Sequence, residues 1–247
     1  MRTAWPDGEQ TGINRQRGRA TPAPSKGTDS ETVSAKLVTV SPPSLAGQID
    51  LSTQMRKYEL TEETKTLADG TVLHRIRALL DIPRHGVKAG ELGGFVEGEN
   101  NLSQYGNAWV SGNAWVSDNA RVYGDAWVSG DAKVSGYAKV NDNARVSGNA
   151  LVSDNAEVSG YALVSGDARV YGNADYMVVK NIWSSGRWFT YTRSNKKWKV
   201  GCFYGTGEEL VAKAYKDSKL SGRCYEAIVS AVETIEAAKA EAKGEAK

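Results

Sequence analysis

The chain has 247 residues, 40% of them hydrophobic, and sets 31 Lys and Arg against 29 Asp and Glu for a formal net charge of +2. So small a charge gives the whole molecule no field of the kind a dedicated nucleic-acid binder or a DNA mimic carries. No long apolar run occurs, which excludes a transmembrane helix.

Residues 1–54 hold five of the six prolines, from Pro6 to Pro43, among Ser, Thr, Gly and Gln and without an apolar period. That composition predicts a disordered leader, or an extension upstream of a start at Met55. It contains no apolar core of a secretory signal, and a cytoplasmic setting is expected. Residues 55–106 are expected to form an entry cap: Ala68-Asp69-Gly70-Thr71 reads as a turn, and Val72–Leu79 as a strand. Leu102 falls in an Ala-like slot of hexad 101–106.

From Asn107 to Gly172 the chain is built of eleven six-residue repeats, each with Ala second and Val fourth, from NAWVSG to DARVYG. Such a period marks a solenoid, whose units stack because none can bury its own apolar surface. Ala-x-Val is a short extended piece with Ala and Val facing one way and the residue between them facing the other. The Gly, Asn and Asp that follow tolerate the sharp corner. The expected fold is an all-β solenoid over 107–175. Burying each Val contributes roughly 1.5–3 kcal/mol, while ordering six backbones costs about 1–2 kcal/mol per residue. A lone coil should therefore not fold.

After Asn173 the hexad fails, with Tyr176 where Val belongs. Residues 176–205 read as a β-hairpin cap turning at Asn195-Lys196, with Phe189, Tyr191, Trp198, Val200, Cys202 and Tyr204 on one face. Residues 206–247 read as two helices. The first opens on the capping box Thr206-Gly-Glu-Glu209. The second follows Gly222 with Cys224, Ile228, Val232 and Ile235 on one stripe, and KAEAKGEAK is expected to fray at its end. Cys202 and Cys224 are expected to be reduced thiols.

The hexads resemble those of the hexapeptide-repeat family, with Val, Ser or Tyr, two polar residues, Ala and a variable residue in order. Ser or Tyr stands where that family usually has Gly, Ala, Asp or Glu. The resemblance implies a left-handed parallel β-helix with three hexads per coil. Residues eighteen apart then stack. The outward positions form one wall of Trp109, Trp127, Arg145 and Leu163, and a second of Trp115, Lys133, Leu151 and Arg169. The third carries Arg121, Lys139, Glu157 and Asp175. The entry segment and the tail from Trp183 to Tyr215 resemble modules of bacteriophage and prophage hexapeptide-repeat proteins. Related bacterial proteins carry the label of acyltransferase.

Three functions compete. Family acyltransferases use a His base and an acyl-CoA groove, and this chain has only His74 and His85 to offer, both in the entry cap. A zinc site of the kind found in hexapeptide-repeat carbonic anhydrases needs three His ligands, so no metal is expected. The hairpin carries Arg187, Arg193, Lys196, Lys197 and Lys199 interleaved with aromatics, the ingredients of a single-strand nucleic-acid site. Alternation turns most of those aromatics inward and leaves a solvated basic rim. Exposed Trp109, Trp115 and Trp127, with Leu151 and Leu163, mark an interface instead, unless the caps or the leader fold over them. The leading expectation is a non-catalytic, phage-derived interaction protein without cofactor. It would self-associate through these walls as a homotrimer and engage a host or phage macromolecule, possibilities that include modulation of host defence. Acyl transfer is the alternative, and nucleic-acid binding the second.

Overall fold

A computed structural model describes residues 56–245 of the chain. Strands β1 (Tyr58–Thr66) and β2 (Val72–Ala78) form an antiparallel hairpin closed by the expected turn, where Gly70 takes φ +91°. A 3-10 turn over Pro83–His85 leads to β3 (Leu92–Val96), which pairs with β2 on one side. On its other side β3 is already the first rung of the solenoid, with Phe95 opposite Trp115 and Val96 opposite Val116. This rung fits only because Gly94 stands where the later coils have Ala. A Cβ there would lie 2.5 Å from the Ala114 carbonyl oxygen. Leu102 is also inside the solenoid, but bridged to Val122 rather than to Ala120. It thus fills a Val slot and not the Ala-like slot expected from the numbering, because the chain takes two more residues than a hexad to turn from Leu102 to Asn107.

The eleven hexads give eleven two-residue strands arranged on three parallel walls. Wall one holds β4 (Trp109–Val110), β7 (Trp127–Val128), β10 (Arg145–Val146) and β13 (Leu163–Val164). Wall two continues β3 with β5 (Trp115–Val116), β8 (Lys133–Val134), β11 (Leu151–Val152) and β14 (Arg169–Val170). Wall three holds β6 (Arg121–Val122), β9 (Lys139–Val140) and β12 (Glu157–Val158). Among the eleven hexads the pairing register is eighteen residues, so the expected columns stand, and every Ala and Val of the repeats is buried. Corners are made at the sixth position. Gly130 there has φ +71°, and an added Cβ would sit 3.0 Å from the Gly148 nitrogen. Where Asp replaces Gly it keeps the left-handed backbone, and its carboxylate accepts the N–H one coil on: Gly136 N donates to Asp118 Oδ2 at 2.9 Å, and Gly160 N to Asp142 Oδ2 at 3.0 Å.

Each end of the stack is closed by the polar groups it needs. Within the stack the N–H of one coil donates to the carbonyl of the next, as Trp109 N does to Ala126 O. The entry end therefore leaves carbonyls such as Ala108 O and Leu102 O to be met, and the exit end leaves N–H groups such as those of Glu157, Leu163 and Arg169 together with the Glu157 carbonyl. At the entry, Lys57 Nζ donates to Ala108 O at 2.7 Å and the Tyr58 hydroxyl to Leu102 O at 2.7 Å. At the exit, Glu157 N donates to Asn173 Oδ1 at 2.8 Å, Leu163 N to Thr190 Oγ1 at 2.8 Å and Arg169 N to Ser194 Oγ at 2.7 Å. Tyr176, placed where the third Val column would continue, donates its hydroxyl to Glu157 O at 2.8 Å.

The C-terminal part is a four-stranded antiparallel sheet of β15 (Tyr176–Lys180), β16 (Trp188–Thr192), β17 (Lys197–Val200) and β18 (Phe203–Gly205), backed by α1 (Gly207–Asp217) and α2 (Lys219–Glu245). Phe189, Tyr191, Trp198 and Val200 pack against the helices as expected. Cys202 and Tyr204 do not join them. The strand reverses at Gly201, φ +56°, so Cys202 lies exposed in the turn and Phe203 takes the place opposite Val200. Tyr204 falls on the other face, opposite Lys199. The capping box forms as read, with Glu209 N to Thr206 Oγ1 at 3.2 Å and Thr206 N to Glu209 Oε2 at 2.7 Å. Helix α2 starts at Lys219, three residues before Gly222, and buries Val229 and Val232, while Ile235 is exposed. It runs on through the segment expected to fray as far as Glu245. The disordered leader expected over 1–54 lies outside the described residues.

Candidate functional site

Alternation along the C-terminal sheet decides what meets the solenoid. Thr190, Lys199 and Tyr204 share the face opposite to Phe189 and Val200, and Thr190 is bonded to Leu163 at the end of wall one. Lys199 and Trp188 are thereby carried to that wall. Arg187 is placed by the preceding loop, which Asn181 organises. Its backbone N–H donates to Arg187 O at 2.8 Å, and its side-chain oxygen accepts from Trp183 N and Ser184 N. From the opposite end the 3-10 turn of the entry cap brings Arg84 and His85 over the same wall.

The result is a groove of about 600 Å³ along wall one, floored by Trp127, Arg145 and Leu163, with Arg84 at one end and Arg187, Trp188 and Lys199 at the other. The corner serines Ser129, Ser147 and Ser165 run along one side. Arg84 is held by Asp125, Nε to Oδ2 at 3.2 Å, and by Asn143. Arg145 lies over the Trp127 ring, 5.4 Å from its centroid. Arg145, Arg187 and Lys199 have no carboxylate partner among the described residues. The Ser165 Oγ is buried and has no hydrogen-bond partner. A concave surface with uncompensated cations is suited to an anionic occupant.

The expected site residues are distributed unevenly about this groove. Trp127, Leu163, Arg187 and Lys199 are brought together in it. Trp109 is not an outward anchor: it is 1% exposed, because the entry cap folds over its rung and sets Tyr58 edge-on to it at 6.5 Å. Trp115 and Leu151 are half-buried on wall two, Trp115 beneath Lys133 at 5.8 Å. Trp127 is itself half covered, its Nε1 donating to Ser111 Oγ at 2.9 Å. Trp109 therefore drops out of the expected ladder, while Trp115 and Trp127 remain half-exposed on their walls. Arg193 is turned away from the groove and engaged by Glu236 at 2.8 Å, which raises its pKa. Lys196 and Lys197 lie at the β16–β17 turn and do not line the groove.

Neither histidine is placed as a base in this groove. His74 is on β2, in the sheet that continues wall two, with Nδ1 3.4 Å from Thr61 O. His85 stacks on Trp127 at 5.2 Å with both ring nitrogens buried and unpartnered. Burial lowers its pKa first, and Arg145 and Arg84 lower it further. A base needs hydrogen-bond reach to the proton it removes, and His85 faces its own packing. Among the described residues no cluster of His, Cys, Asp and Glu could hold a metal ion. Sequence reading missed Arg84 altogether, since nothing in its spacing tied the entry cap to wall one.

Stacked walls with a long-range eighteen-residue register define a β-solenoid repeat protein, here carrying a basic groove on one wall. In agreement, residues 114–130 and 144–160 match the YdcK beta solenoid repeat. A comparison with curated proteins returned no significant match. No described helix is long and apolar enough to cross a membrane.

Proposed function

We propose that this protein is a non-catalytic interaction module whose wall-one groove holds an anionic part of a partner macromolecule. The observation that carries the reading is the convergence of Arg145, Arg187 and Lys199, from two separate parts of the fold, without a carboxylate among them. Uncompensated cations lining a concave surface favour an oppositely charged partner and speed its encounter. The resemblance of the entry cap and tail to prophage modules supports a partner from a bacterial host or its phage. Two cysteines without a disulfide support a reducing compartment.

Affinity capture from a bacterial host tests this reading. The parent is compared with Arg145→Gln/Lys199→Gln and with Lys139→Gln on wall three. We expect a partner that the parent and the wall-three variant retain, and that the double variant and raised salt both release. Identical captured sets from all three proteins would refute the groove as the working surface.

A further inference from the structure

On the footing that the groove is the partner site, we propose that its occupant is an extended acidic peptide segment, with carboxylates on either side of an apolar residue. The aromatic rings decide against a nucleic-acid strand, the other polyanion a basic groove could take. Strand-binding surfaces use successive aromatic faces as platforms for bases. Here each indole is already engaged by a stacked ring and a cation. Trp127 has His85 at 5.2 Å and Arg145 at 5.4 Å, and Trp188 has Tyr161 at 4.9 Å and Lys180 at 5.5 Å. The other hairpin aromatics, Phe189, Tyr191 and Trp198, are buried against the helices on the far face of the sheet.

The order of groups along the groove then sets the register. Arg145 stands one rung from Leu163, about 4.8 Å, and Arg187 and Lys199 stand beyond Leu163 on the C-terminal sheet. The sequence of requirements is cation, apolar floor, cation. A single small anion meets one end only. An extended peptide presents side chains to one face every second residue, about 6.6 Å apart, wider than one rung, and the long flexible stems of Arg145, Arg187 and Lys199 let an acid-x-apolar-x-acid segment meet all three.

The probe is a fluorescein-labelled peptide, Gly-Gly-Glu-Ser-Leu-Ser-Glu-Gly-Gly, titrated with the full chain and followed by anisotropy. Comparison probes are the same peptide with Gln for both Glu, a twelve-residue oligo(dT), and pyrophosphate as competitor. We expect the acidic peptide to bind at least tenfold more tightly than its Gln version, and Arg145→Gln or Lys199→Gln to weaken it tenfold or more. Lys139→Gln should leave it unchanged, and matching melting curves establish that all variants are folded. Tighter binding of oligo(dT), lost in the same variants, would overturn the peptide and keep the groove. Pyrophosphate as tight as the peptide would overturn the spanning register. If no probe binds while partner capture still depends on Arg145 and Lys199, the acidic-peptide assignment alone falls. If capture is indifferent to them as well, the groove reading falls with it.

Discussion

Single positions in the repeats carry opposite demands, although neighbours in sequence. Val140 is fully buried in the third column and Lys139 is exposed on the outside of the same strand. Val140→Asp would bury a charge without a partner, and we expect cooperative melting to be lost, whereas Lys139→Glu should move stability by no more than about 0.5 kcal/mol. Equal melting curves would contradict the inward and outward assignment. Lys57 makes a pH-dependent demand. It is 4% exposed, and burial lowers its pKa to about 8. Below pH 8 both folded and unfolded chains hold the proton, and the fold bears the cost of a buried ammonium. Between about 8 and the ordinary 10.5 only the unfolded chain holds it, so stability rises with pH across that window. Burial shifts Tyr58 upward, so above pH 10 the unfolded tyrosine ionises while Tyr58 does not, and stability falls again. We expect the midpoint of urea unfolding to increase from pH 7.5 to 9.5 in the parent and to stay level in Lys57→Met. A level parent would contradict the buried amine.

At the scale of elements, the two caps differ because the ends of a parallel stack differ. At the entry the Lys57 amine and the Tyr58 hydroxyl meet carbonyls; at the exit oxygens of Asn173, Thr190 and Ser194 meet N–H groups and the Tyr176 hydroxyl meets the Glu157 carbonyl. Thr190→Val with Ser194→Ala removes two of those acceptors while keeping the shape. Leaving a buried donor unmet costs about 1–3 kcal/mol; the Thr190 bond is part-buried and the Ser194 bond exposed, so chemical denaturation should show a loss of about 1–3 kcal/mol that comes mainly from Thr190→Val, and a change within error would mean that these contacts do not cap the solenoid. Trp109→Ser tests the entry cap from its apolar side. Removing so large a buried ring costs about 3–5 kcal/mol, while Trp115→Ser on the half-covered wall two should cost less. The elements themselves were legible wherever a local rule was sufficient. The hexad period placed all eleven short strands, the Asp69-Gly70 turn placed the first hairpin, and the Thr206 to Glu209 box placed the start of α1. The misreadings have a common cause. Leu102 moved by two residues because an irregular turn breaks the period, and Cys202 and Tyr204 left their face because Gly201 begins a turn that alternation alone does not reveal.

For the molecule as a whole, half of the groove could be read and half could not. The eighteen-residue register put Trp127, Arg145 and Leu163 on one wall before any coordinates. What joins them are Arg187, Trp188 and Lys199 from the sheet and Arg84 from the entry cap, and these depend on how the ends fold back along the stack. The same folding back hides Trp109 and half covers Trp127, so a pattern that read as an exposed ladder is in part a set of cap contacts. The burial of Trp109 leads to an expectation for assembly: light scattering should not register a trimer that depends on Trp109, and a trimer dissolved by Trp109→Ser in a still-folded chain would contradict the cover. The most direct measurement of the central claim is the indole N–H spectrum of the full chain during titration with the acidic peptide. The Trp127 and Trp188 signals, assigned by substitution, are expected to move together and saturate while those of Trp115 and Trp198 stay in place. Movement of Trp115 with Trp127 and Trp188 unmoved would put the binding surface on another wall and contradict the account.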